Sequence, residues 1–198
     1  MNRIFKKTIP AASLALLFSA SMAFGQTATT KNMSQTNAAH STTATTSDAQ
    51  FAKEAAQSNM FMVKMGELAQ QNGTGANVKD FGKRMVTDHS NAENNLKTAA
   101  AKADITLPVK MSAQQQATYD QLSKLRGEQF DKVYAKDMVQ DHTNDVAKFQ
   151  HEANVGKDTP IKDFASQTLP TLQEHLRLAH QMNQKVSAMT TQTSNPHS

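Results

Sequence analysis

The chain has 198 residues, 38% of them hydrophobic and 19% charged, with no Cys, no Trp and two Tyr. That length suits one domain with appendages, and the missing cysteine excludes a disulfide scaffold, a cysteine zinc site, a thiol nucleophile and a cysteine lipid anchor. The formal charge of +4 shrinks once the first segment is set apart: Arg3, Lys6 and Lys7 lie in it, leaving 18 basic against 17 acidic residues, a net +1 with no basic run for a nucleic acid to follow.

Met1 to Gly25 reads as a secretory signal. The three basic residues open it, an apolar stretch from Ile9 to Phe24 follows, and Ala23 and Gly25 supply the small residues of a peptidase site near Gly25. The apolar run falls short of the roughly 20 residues a spanning helix needs, and no later segment approaches a span. The expectation is export, most simply to a periplasm, with no transmembrane segment once the signal is removed. Residues 26–47 hold Thr, Ala, Ser and Asn with almost no large apolar side chain, which predicts a disordered tether. Residues 189–198 read as a disordered tail.

From 48 to 188 the pattern is helical throughout. Ser47 with Gln50 reads as a capping box for a first helix, 48–71, with the stripe Phe51, Ala55, Ser58, Met62, Met65, Ala69. After Asn72-Gly-Thr-Gly, Asn77 and Asp80 are placed to cap a second helix to 103, with Val78, Phe81, Met85, His89, Ala92, Leu96 and Ala99 on one face. Pro108 interrupts the pattern. Ser112 with Gln115 then starts a short helix to about Arg126, where Gly127 marks a break. A third long helix, 128–154, carries Phe130, Tyr134, Met138, His142, Val146, Phe149 and Ala153. Thr159 as cap and Pro160 in the first turn open a fourth, to 188, which Pro170 should kink near Ser166. Its stripe includes Ile161, Phe164, Leu172, His175, Ala179, Met182 and Val186.

Loop lengths select the topology. Short links make hairpins of the first pair and of the last pair, whereas the long link between second and third can run the length of a bundle. The expected fold is all-α, a ferritin-like four-helix bundle whose crossover holds a short extra helix.

One internal similarity stands out. Lys83-Arg-Met-Val-Thr-Asp-His-Ser-Asn91 matches Lys136-Asp-Met-Val-Gln-Asp-His-Thr-Asn144, and Glu174-His175 supplies a third acidic-His pair. His89, His142 and His175 lie near the midpoints of their helices and on the apolar stripes, so they should converge at one level. Met85 and Met138 sit one turn away on the same faces, and Met62 is at the midpoint of the first helix. Two readings of this layer stand side by side. It is a structural polar layer with methionine as core filler, or it is a metal site: imidazole suits Cu, Zn and Fe, and thioether suits Cu(I). No Glu-x-x-His occurs in these helices, since Val86, Val139 and Leu172 occupy the third position before each His. That argues against ferritin-type di-iron chemistry.

Taken in order, Val78-Lys-Asp-Phe81, Met85-Val-x-Asp-His89, Leu107-Pro108, Phe130-Asp131-x-x-Tyr134, Met138-Val-x-Asp-His142, Lys162-x-Phe164 and Leu169-Pro170-x-Leu172-x-x-His175-Leu176 resemble an exported bacterial family known as domain of unknown function 4142. The resemblance spans 48–188. It implies a ferritin-like helical fold and export, carries the family motif onto Asp88, His89, Asp141, His142 and His175, and supplies no activity. Similar proteins often bear an acidic residue near Met62. An outer-membrane label used in the family does not fit, because no segment alternates like a barrel strand.

The expected function is a non-enzymatic periplasmic binding or stress-protective protein whose central His/Met layer is structural or holds a metal. The alternatives are a ferritin-like metal-dependent redox protein using the three histidines, and a chaperone-like module engaging a periplasmic protein partner through an exposed apolar patch.

Overall fold

The computed structural model describes residues 46–193, with side chains from Asp48 to Met189. The expected signal segment 1–25, the tether up to residue 45 and the end of the tail lie outside the described residues. Five helices follow in order: α1 (Thr46–Asn72), α2 (Ala76–Lys102), α3 (Ala113–Leu122), α4 (Gly127–Val155) and α5 (Thr159–Thr193). No strand occurs among the described residues, and no helix there is long and apolar enough to cross a membrane. α5 continues through Pro170 and past residue 188 into the expected tail.

Side-chain pairings give the helix directions. Phe51, early in α1, meets Phe149, late in α4, edge-on with ring centroids 4.9 Å apart, so these two helices are antiparallel. Ile161 and Phe164, early in α5, pack with Leu96 and Ala99, late in α2. Val78 and Phe81, at the start of α2, pack with Met182 and Val186 near the end of α5. With α1/α2 and α4/α5 joined as hairpins, α2 and α4 run parallel. The crossover carrying α3 brings the chain back along the bundle, as the loop lengths require.

Backbone contact tightens the first hairpin. A Cβ on Gly66 would lie 2.5 Å from the Gly82 carbonyl oxygen, and one on Gly82 would lie 2.7 Å from that of Gly66. Only glycine at both positions lets α1 and α2 approach so closely. Gly127 has φ of +61°, which favours glycine, and it starts α4.

The helix starts differ from the sequence expectation at three places. α1 begins at Thr46, which puts Ser47 inside its first turn. α2 takes no cap from Asn77 or Asp80: its N-cap is Gly75, without a side-chain bond. Asp131 reaches across from α4 instead and accepts from the Gly75 N–H at 2.9 Å and from the Thr74 N–H and hydroxyl. At α5 the capping side chain is Asp158, one residue before Thr159, which accepts from the Ile161 N–H at 3.1 Å. Asp48 in turn accepts from the Lys157 and Asp158 N–H groups. Asp158 thus satisfies an orphan donor of α5, while Asp131 and Asp48 hold the backbone N–H groups of the turns that lead into α2 and α5. The Ser112–Gln115 capping box forms as read, although α3 ends at Leu122, short of Arg126.

The core divides into two apolar clusters. One holds Met62, Met65, Phe81, Met85, Phe130, Tyr134, Met138 and Met182. The other holds Phe51, Leu96, Phe149, Ile161, Phe164 and Leu172. Along α2, α4 and α5 alike, the histidine falls between a residue of the first cluster and a residue of the second.

Candidate metal centre

His89, His142 and His175 are all buried, at 3%, 0% and 1% exposure. Their ring centroids are 5.9 Å apart for His89 and His142, and 5.4 Å apart for each of the other two pairs. One nitrogen from each ring lies within 4.8 Å of one from each of the others. The convergence read from the helix midpoints therefore occurs, on α2, α4 and α5. α1 contributes no histidine; it contributes Asn59.

Each ring is fixed from one side. His89 Nδ1 lies 3.0 Å from Asn59 Oδ1, His142 Nδ1 lies 2.8 Å from the Met138 carbonyl oxygen, and His175 Nε2 lies 2.8 Å from Asp88 Oδ2. The Asn59 amide is itself oriented, its Nδ2 donating to Glu93 at 3.5 Å. All three partners are acceptors, so the ring nitrogen facing each must carry the proton. The other nitrogens, His89 Nε2, His142 Nε2 and His175 Nδ1, are buried with no hydrogen-bond partner.

Electrostatics keep the rings neutral. Burial, followed by the His142 and His175 rings, holds His89 well below the ordinary imidazole range. Burial and then His175 pull His142 down to about 4, against a weaker upward pull from the Met138 carbonyl. Burial also lowers His175, outweighing the hydrogen bond and charge of Asp88. A neutral ring whose one proton is held outward presents a lone pair on its other nitrogen. The centre thus offers three lone pairs and no carboxylate.

Met62, Met85 and Met138 are buried in the first apolar cluster, which meets the histidines through Phe81, edge-on to His142 and His175 at 5.8 and 6.5 Å between centroids. Of the acidic residues beside the histidines, only Asp88 bonds to one, and it bonds to His175 on the facing helix. Glu174 forms a surface pair with Arg177. Asp141 makes no bond to the cluster; burial, then Asp145 and Asp137, push its carboxyl up to about 7. Asn59 was invisible in the sequence reading because an Asn near a helix midpoint carries no motif. Its spacing did hold a signal, since Asn59 stands three residues before Met62 and so within one turn on a neighbouring face.

Fold and centre together define an all-α protein with a buried three-imidazole cluster built from three of its long helices. The chain belongs to the family described as Domain of unknown function (DUF4142), whose sequence pattern matches residues 32–182. Among solved structures it is similar to a DUF305 fragment from Deinococcus radiodurans, with TM-score 0.63 and 14% identity over 72% of this chain and 98% of that one. It is also similar to a DUF305 protein from Streptomyces coelicolor described as secreted, with TM-score 0.60 and 14% identity over 71% of this chain and 92% of that one. At such identity the likeness is one of fold. No curated protein matches the chain.

Proposed function

We propose that this protein is an exported, non-enzymatic metal-binding bundle in which His89, His142 and His175 hold one transition-metal ion. The observation that carries this reading is the trio of buried, unpartnered ring nitrogens, each opposite an anchored one. A buried polar atom left unpaired costs about 1–3 kcal/mol, and three such atoms within one layer are a costly way to build a purely structural core. Metal-bound histidines commonly donate their second N–H to a carboxylate, carbonyl or similar acceptor, which is the pattern on all three rings here. Metal–imidazole bonds of about 2.0–2.1 Å require the nitrogens to close in from their present separations of up to 4.8 Å.

A set of neutral imidazoles without carboxylate suits copper, zinc or iron. The absence of Glu-x-x-His from these helices favours retention of an ion over ferritin-type oxidation. Export is supported by the signal-like segment at residues 1–25, and by the fold shared with the Streptomyces protein described as secreted. The chaperone alternative calls for an apolar patch; among the described residues the exposed large apolar side chains are Val109, Val133, Val155 and Met189, of which Val109 shares a groove with Met60, Val63 and Met111.

Elemental analysis of the protein taken from its own compartment tests the reading, beside the triple variant His89→Ala, His142→Ala, His175→Ala and each single variant. Near-stoichiometric metal in the wild type that is lost in folded variants supports it. Trace metal that is the same in wild type and variants overturns it and leaves a structural polar layer.

A further inference from the structure

We infer that metal reaches and leaves the imidazole cluster through the groove between α2 and α5, past Asp88. This rests on the metal-binding reading above. The groove has a volume of about 520 Å³, is lined by residues of α2 and α5 alone, and runs from Lys102 and Thr159 at one end to Asp88 at the other. Of the three groups that anchor the rings, Asp88 is the one with a side chain open to solvent, at 26% exposure. Asn59 and Met138 are buried. The same Asp88 oxygen that meets His175 Nε2 at 2.8 Å also accepts from Arg84 Nε at 3.3 Å. A swing of Asp88 toward Arg84 would release His175 Nε2 and let that ring turn toward the groove, presenting its unpartnered Nδ1 to an incoming ion while the other two histidines keep their anchors.

Two other grooves compete and fail on chemistry. The groove under the crossover reaches Asn59 and is lined by Lys64, Lys97 and Lys110 with one carboxylate, Glu93; its charge is net positive, and Glu93 meets Lys97 and Asn59 rather than a histidine ring. The groove between α1, α3 and α4 is acidic, with Glu54, Asp137, Asp141 and Asp145, and attracts cations to the surface. Its inner residues are Ser58, tied to Asp145 at 2.8 Å, and Met62, and no hydrogen bond joins that groove to a triad ring. Of these three grooves among the described residues, the α2/α5 groove alone ends on an anionic atom bonded to a ring of the cluster.

The test is the exchange rate of Zn²⁺, loaded from and released to a chromophoric chelator in stopped flow. Thr171→Trp and Asn91→Trp place bulk near the inner end of the groove at solvent-exposed positions, so folding is expected to survive. Both variants should slow loading and release by about tenfold while leaving the equilibrium constant unchanged, because a plug acts on the two rates alike. Asn94→Trp in the lysine-lined groove and Gln140→Trp in the acidic groove should exchange at the wild-type rate. Wild-type rates in Thr171→Trp and Asn91→Trp overturn the route alone, as does slowing confined to Asn94→Trp or Gln140→Trp. A wild-type chain that takes up none of Zn²⁺, Cu⁺ and Fe²⁺ overturns the metal reading itself.

Discussion

Asp88 sits next to His89 in sequence, yet its carboxylate bonds to His175 of the facing helix, Oδ2 to Nε2 at 2.8 Å. The Asp-His dipeptide on α2 therefore serves two rings of the cluster: its histidine supplies one and its aspartate orients another. Asp88→Asn keeps the side-chain shape but exchanges the anion for an amide, which lowers the basicity of His175 and loosens its tautomer. The expected outcome is a 10–100-fold loss of metal affinity, the usual consequence of losing such an outer partner. Competition against a chelator reads it, with circular dichroism showing the fold retained.

Asp131 offers a test of the fold free of the centre. It is buried and accepts from two backbone N–H groups and one hydroxyl at the α1–α2 junction. Asp131→Ala strands those donors at the start of α2, with an expected loss of about 1.5–3 kcal/mol, the range for bonds to a charged group. Urea unfolding measures it, and metal binding by the folded fraction should be unchanged.

These two aspartates show what was legible in the sequence. The helices, the crossover and the convergence of three histidines follow from period and loop length, which are local properties. The turns into α2 and α5 differ from the local expectation because the carboxylates that hold them, Asp131 and Asp48, come from other helices. An expected partner such as Asn77 or Asp80 is a local guess that tertiary contact overrides. Likewise the methionine spacing correctly marks a buried face. Asn59 and the partner choice of Asp88 depend on how α1 and α5 rotate against α2, which no period encodes.

Acid should act on this fold through two opposed groups. The three histidines are depressed in the fold, so between about 6.5, the ordinary imidazole value, and their folded values the unfolded chain binds more protons and stability falls as pH drops. Glu152 is buried, and burial first, then Asp48 and Asp158, push its carboxyl up to about 7, with Lys162 opposing. There the folded chain binds the proton more tightly, so stability is gained as pH falls from 7 toward the unfolded carboxylate value near 4. Glu152→Gln removes that residue's share of the second effect, to which Asp141 and Asp145, pushed up by burial to about 7 and about 6, also contribute. It should melt several degrees above wild type at pH 8, and the gain should vanish by about pH 4.5, leaving a steeper acid loss due to the histidines. Melting curves of both proteins across that range check the sign.

Gly82→Ala separates helix propensity from packing. In an isolated helix, alanine in place of an interior glycine gains about 1 kcal/mol, and Gly82 lies inside α2. Here the new methyl group would sit 2.7 Å from the Gly66 carbonyl oxygen and 2.8 Å from the Ala69 Cβ, distances that force α1 and α2 apart. Because the obstacle is backbone, relief by a rotamer change is unavailable, and overpacking of this kind costs about 1–3 kcal/mol. The expected outcome is a net loss of stability on denaturant unfolding despite the better helix former. Asn59 is on α1 and His89 on α2, so the same separation should lengthen the Asn59–His89 bond and weaken metal retention. Ser90→Ala, on the same helix but away from the Gly66–Gly82 contact, should do neither.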